Sequence, residues 1–172
     1  MSKADSTAGS PFWRFSLGFY RRAGVADACI ALQEQVGVDV NLLLFLLWQA
    51  TLRRALSAAE VAALEKRVAP WRAMTVIPLR TVRRALKLPP ELVAPGTAEV
   101  FRTRIKAVEL EAERLQQEAM YEAARASPMG HELSSAAAAA RINIESYAAM
   151  AHTTFPSTAT QTLLAAFDHM TT

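Results

Sequence analysis

The run from Leu42 to Trp48 reads LLLFLLW, seven apolar residues without a polar one among them. A helix carrying such a run is apolar around its whole circumference, so it must be enclosed by other helices or embedded in lipid. Crossing a bilayer takes about 20 apolar residues, and this run is bracketed by Asn41 and Gln49. It is therefore expected at the centre of a water-soluble helical fold. Asp39 is placed to cap its N-terminus, and Asn41 in such surroundings needs a hydrogen-bonding partner from within the protein.

Helix punctuation and apolar spacing set out the elements around that centre. Ser10-Pro11 opens a helix, the hydroxyl accepting an orphan N–H and the proline occupying a position where no N–H is needed. Phe12, Phe15 and Phe19 form one stripe of it and Trp13, Leu17 and Tyr20 the next, with Arg14 expected at the rim. Val25, Cys29, Leu32 and Val36 mark a second helix over 25–36, ended by Gly37 as a left-handed cap. Cys29 on that stripe reads as a buried, inert thiol. Ser57 and Glu60 have capping-box spacing and begin a helix over about 57–69, which Pro70 closes or kinks. Pro78 starts a short helix in which Leu79, Val82 and Leu86 are expected to face inward and Arg80, Arg83, Arg84 and Lys87 outward.

The longest segment runs from Thr97 to about Ala126. Phe101, Ile105, Val108, Ala112, Leu115 and Ala119 alternate steps of four and three, the seam of a coiled-coil-like helix. Roughly 30 residues at 1.5 Å each span about 45 Å. A seam extending past its own domain would meet a second helix, most simply one from an identical subunit. Beyond residue 127 the chain is rich in Ala, Ser and Thr, with Ser135 and Ser157 as expected caps. No strand is expected, since the most β-like stretch, MTVIPL, contains a proline. The fold class is all-α, a single globular helical domain of about seven helices with one long spine. Residues 1–9 form a flexible N-terminus, 10–127 the helical core and 128–172 a helical extension docked on it.

The chemistry-bearing residues exclude more than they nominate. A single cysteine in 172 residues rules out an intrachain disulfide and a thiolate metal cluster. MSKADSTAGSP lacks the apolar stretch of a secretory signal, so the cytoplasm is the expected location. The glycines are scattered rather than clustered in a phosphate cradle, and His131, His152 and His169 lack zinc-ligand spacing. No catalytic residue, cofactor or metal ligand is nominated. The net charge of +3 is uneven: residues 50–90 hold nine basic side chains against two acidic ones. Trp71, Arg72, Arg80, Arg83, Arg84 and Lys87 are the candidate anion or nucleic-acid contacts, arginines for phosphates and tryptophan for stacking. A candidate apolar pocket lies among Phe12, Trp13, Phe19, Phe45 and Trp48.

The block FWRFSLGFYRRAGVADACIALQEQVGVDVNLLLFLLWQA, followed by PLRTVRRALK, resembles a proteobacterial family of small helical proteins, a domain of unknown function. The resemblance covers residues 12 to about 126 and implies a bacterial, cytoplasmic helical protein. It brings no activity, cofactor or catalytic residue. The leading expectation is a non-enzymatic interaction protein with a protein partner or a second copy of itself, using the long-helix seam or a groove beside the aromatic first helix. An RNA- or phosphate-binding accessory protein using the basic helix 78–88 is the alternative. A third reading is an enzyme or carrier of a small apolar ligand. No transmembrane insertion is expected in any of them.

Overall fold

A computed structural model describes residues 9–171, so the N-terminal segment expected to be flexible lies, apart from Gly9, outside the described residues. The chain is all-α. Its helices are α1 (Pro11–Tyr20), α2 (Val25–Val36), α3 (Val40–Thr51), α4 (Ala58–Trp71), α5 (Ile77–Ala85), α6 (Pro95–Ala126), α7 (Ala136–Met150) and α8 (Ser157–Thr171). A π-helical turn, Arg72–Val76, joins α4 to α5, so these two form one helical run. Among the described residues no helix is long and apolar enough to cross a membrane.

Two compact units divide the chain. The major unit holds the residues up to Glu65 and those from Gln117 onward, and the minor unit is Lys66–Gln116. The boundaries fall inside α4 and inside α6.

The major unit is organised on α3. Every residue from Asn41 to Ala50 is buried, as the all-apolar circumference requires. Its neighbours are α1, α2, the short strand β1 (Arg54–Ala55) and above all α7. Helix α8 in turn packs on α2 and α7. Each buried leucine or phenylalanine contributes about 1.5–3 kcal/mol relative to exposure, so the seven from Leu42 to Trp48 rival the net stability of a whole domain. Asp39 and Asn41, which this burial carries inward, are paired. The Asp39 carboxylate accepts from the Asn41 N–H at 2.9 Å as the expected cap, and the Asp39 N–H donates to the Tyr147 hydroxyl at 2.8 Å. Asn41 Oδ1 accepts from Gln117 Nε2 at 2.7 Å.

Asn143 of α7, completely buried, ties three elements together. Its amide nitrogen donates to the carbonyls of Leu46 (2.8 Å) and Arg54 (3.0 Å), and its oxygen accepts the Leu56 N–H at 2.7 Å. The expectation of no strand is corrected here. β1 pairs antiparallel with β2 (His131–Glu132), Arg54 opposite Glu132 and Ala55 opposite His131. Two residues per strand are too few to show the alternation by which a strand is read from sequence. Left-handed Arg53 (φ 58°) and Gly130 (φ 66°) lie beside the pairing. The expected capping box at Ser57 and Glu60 forms, and Glu60 also accepts the Gly130 N–H at 2.8 Å.

In the minor unit Pro78 stands in the first turn of α5 as expected, while Pro70 departs from expectation. Pro70 does not end α4, which continues to Trp71. A proline ring at 78 crowds the carbonyl four residues earlier, and the wider π turn just before it, closed by the Ile77 N–H donating to the Arg72 carbonyl, relieves that crowding without breaking the helix. The buried apolar residues of this unit are few: Val68, Val76, Ala98 and Ala112.

Two substitutions test the major unit. Asn143→Leu leaves the Leu56 N–H and the Arg54 carbonyl without a partner and is expected to cost about 2–4 kcal/mol in urea unfolding. Gly130→Ala forces a left-handed residue whose Cβ would lie 2.5 Å from the Ala55 carbonyl oxygen. It is expected to lower stability by more than the ~1 kcal/mol of the backbone conformation alone, read as a shift in thermal midpoint.

Candidate functional site

The charged centre of the minor unit is Glu109. It lies one helical turn from Glu113 on α6, while Arg80 and Arg83 lie one turn apart on α5, so each pair presents one face. Arg80 Nε donates to Glu109 Oε1 at 3.1 Å and its Nη2 to Glu113 Oε1 at 2.8 Å. Arg83 grips Glu109 with two nitrogens, Nε on one oxygen and Nη2 on the other at 3.2 Å. Glu109 is only 5% exposed. Burial pushes its carboxyl toward the neutral form, but hydrogen bonds from Arg83 and Arg80, and then their charges, outweigh it and hold the group below the ordinary carboxylate range.

This arrangement departs in part from the expected orientation of α5, which Leu79 and Leu86, half-buried, and Arg84 and Lys87, exposed, still follow. Arg80 and Arg83 turn toward α6, and Val82, expected inward, is exposed. Two guanidinium groups facing two carboxylates in a partly buried setting outcompete a single valine. Of the candidate anion contacts, Arg80 and Arg83 are thus engaged by acidic side chains, and the Trp71 indole N–H donates to the Ala112 carbonyl at 3.0 Å. Arg72 is half-buried, while Arg84 and Lys87 are exposed. All six lie in the minor unit.

The candidate pocket residues lie in the major unit. Phe12, Phe45 and Trp48 pack directly on one another, with ring centroids 5.3 to 5.7 Å apart. Trp48 also meets Tyr121 at 5.6 Å, a contact the sequence does not signal. Phe19 instead stacks on Phe15 and meets Phe167 of α8, and Trp13 is half-buried. Cys29 is buried, and desolvation pushes its thiol up to about 12, far from a reactive thiolate. Among the described residues no three His, Cys, Asp or Glu side chains gather as a metal ion requires.

What sequence reasoning missed is the outside of the minor unit. Among the described residues, eleven of the fourteen large apolar side chains that are exposed belong to its 51 residues, although it makes up less than a third of the chain. Leu88 is 90% and Leu92 96% exposed, and Met74, Ile77 and Val82 stand out from the helical run. The long-helix seam is divided. α6 buries Ala98, Glu109, Ala112, Gln116, Gln117 and Met120, while Phe101, Val108 and Leu115 of the seam face solvent. Apolar spacing showed that these three share a face, but the Arg80 and Arg83 pairing sets the rotation of α6 that leaves it bare. The minor unit is also cationic, with eleven basic against five acidic side chains.

The Glu109 centre generates a prediction with a definite sign. A carboxylate whose folded value is depressed contributes stability that is fully present above its unfolded value, near 4.5, and is lost as pH falls through the folded value. Hydrogen exchange in α5 should therefore accelerate as pH is lowered below about 4.5, after correction for the intrinsic rate, and Glu109→Gln should remove most of that dependence. Arg83→Ala strips one partner from a nearly buried carboxylate that Arg80 still holds, and it is expected to cost about 2–3 kcal/mol in thermal or urea unfolding.

Comparison with curated proteins gives no match, and comparison with solved structures gives none. A family model does match: DUF2390, described as a protein of unknown function, over residues 11–120. The match takes in the whole minor unit and ends before α7 and α8. Spanning well over half of the chain, it shows that this protein belongs to the DUF2390 family.

Proposed function

We propose that the protein is a non-enzymatic helical interaction protein whose binding surface is the minor unit. One observation carries this reading: a 51-residue unit that buries four apolar side chains while exposing eleven large ones. Large exposed apolar patches on a folded protein mark places where another molecule docks. A unit with so small a core also gains more from a partner than one with a full core does. Its excess of basic side chains favours partners that carry acidic groups around an apolar strip. A cytoplasmic setting suits the single buried thiol.

A second reading, an RNA- or phosphate-binding accessory protein acting through the basic helix 78–88, draws support from the same charge imbalance. Arg84 and Lys87, both exposed, are the residues to change for it, because Arg83 also holds Glu109. If that reading is right, Arg84→Glu with Lys87→Glu abolishes salt-sensitive RNA binding; RNA affinity equal to wild type removes it.

The leading reading is tested by chemical cross-linking of the full-length chain in its native cell extract, counting every captured protein other than the chain itself. Met74→Glu, Val82→Glu and Leu92→Glu are exposed changes expected to alter stability by less than about 0.5 kcal/mol. Together they should reduce total capture at least fivefold, whereas Ile30→Glu, an exposed apolar site of the major unit, should leave it unchanged. Equal capture by wild type and the triple variant would rule out the minor unit as the binding surface.

A further inference from the structure

Resting on the reading of the minor unit as a binding surface, we infer that the exposed face of α6 pairs antiparallel with the same face of a second copy of this chain, with Val108 at the two-fold axis. Phe101, Val108 and Leu115 recur every seven residues and are each about half exposed, so they form one straight strip on the outside of the helix. The charges beside that strip select the partner. Arg104 and Glu111, both exposed, lie along the same edge of it, the edge turned away from buried Glu109.

An antiparallel two-fold through Val108 places each Phe101 level with the partner's Leu115. At 1.5 Å rise per residue, Arg104 then falls within about 1.5 Å, along the axis, of the partner's Glu111, and the symmetry makes that pair twice. Opposite charges meet twice along that flank, once on each side of the two-fold axis, and the bulky Phe101 meets the smaller Leu115. In a parallel, in-register pair the two-fold runs along the helices and sets the Arg104 and Glu111 edge against the partner's other edge, which carries Ile105 and Ala112, so only the antiparallel arrangement pairs these charges. Glu111 is already gripped by Arg114 from the next turn at 2.7 and 2.9 Å. That bidentate contact fixes the carboxylate on the outer edge, where a second guanidinium can approach it.

A pairing through three apolar layers and two exposed ion pairs is small, so micromolar association is expected. Sedimentation of the full-length chain, from about 1 μM to about 300 μM, should show a monomer-dimer equilibrium. Val108→Glu should weaken it at least tenfold with an unchanged thermal midpoint. The orientation is read by two charge variants, Arg104→Glu, which leaves only acidic side chains at 104 and 111, and Glu111→Arg, which leaves only basic ones. Each alone should self-associate at least tenfold more weakly than wild type, and an equimolar mixture should recover a heterodimer of wild-type affinity. A wild-type chain that stays monomeric throughout, or a mixture no tighter than its components, overturns the inference. Neither result touches the capture experiment above, which reads partners other than the chain itself and alters none of the α6 residues used here.

Discussion

Everything in the major unit follows from the need to cover α3. A helix apolar on every side has no face to give to water, so neighbours must close around it, and α1, α2, α7 and β1 do so. Closing the ring carries polar groups inward as well. Asp39, Asn41 and Gln49 are all buried with the leucines, and buried polar groups are tolerable only with partners. The partners found for α3 come from far along the chain: Tyr147 at its N-terminus, Gln117 on Asn41 and Asn143 on the Leu46 carbonyl. The hydrophobic requirement calls for a cover, and the hydrogen bonds decide which cover fits.

The minor unit obeys a different balance. Its buried side chains include Glu109 and Gln116 beside four small or medium apolar residues. Directional contacts, chiefly the guanidinium grip on Glu109 and the Trp71 to Ala112 bond, do much of what a larger core does elsewhere. Apolar side chains released from core duty are then available on the outside. Binding is a natural use for such a unit, since a partner can supply the cover that the unit does not supply for itself.

Much of the helical layout was legible because it depends on residues near one another in the chain. The cap at Ser10, the left-handed stop at Gly37, the box at Ser57 and Glu60 and the cap at Ser135 all formed where the side-chain chemistry placed them. Pro70 did not close its helix where it stands, and a π turn joins α4 to α5, while Pro78 stands in the first turn of α5 as expected. The candidate residues fared less evenly. Phe12, Phe45 and Trp48 do meet, while Phe19 turns toward Phe167. Arg80 and Arg83 came together on an acidic residue of their own chain. Periodicity put Phe101, Val108 and Leu115 on one face of α6, and it also put Glu109 and Glu113 within reach of a neighbouring helix.

The amino-acid sequence alone determined that this chain is helical and that Leu42 to Trp48 is buried, because seven consecutive apolar residues too short for a bilayer admit no other place. It also determined where most helices begin, since a cap needs only the next three or four residues. The tertiary structure alone decided which face of α5 and α6 is inside. Arg80 and Arg83 are separated from Glu109 by more than 25 positions, and a helix with an apolar stripe and a charged stripe can bury either one if opposite charges wait across the contact. Partner geometry makes that choice, and it is why the apolar stripe of α6 stands in water.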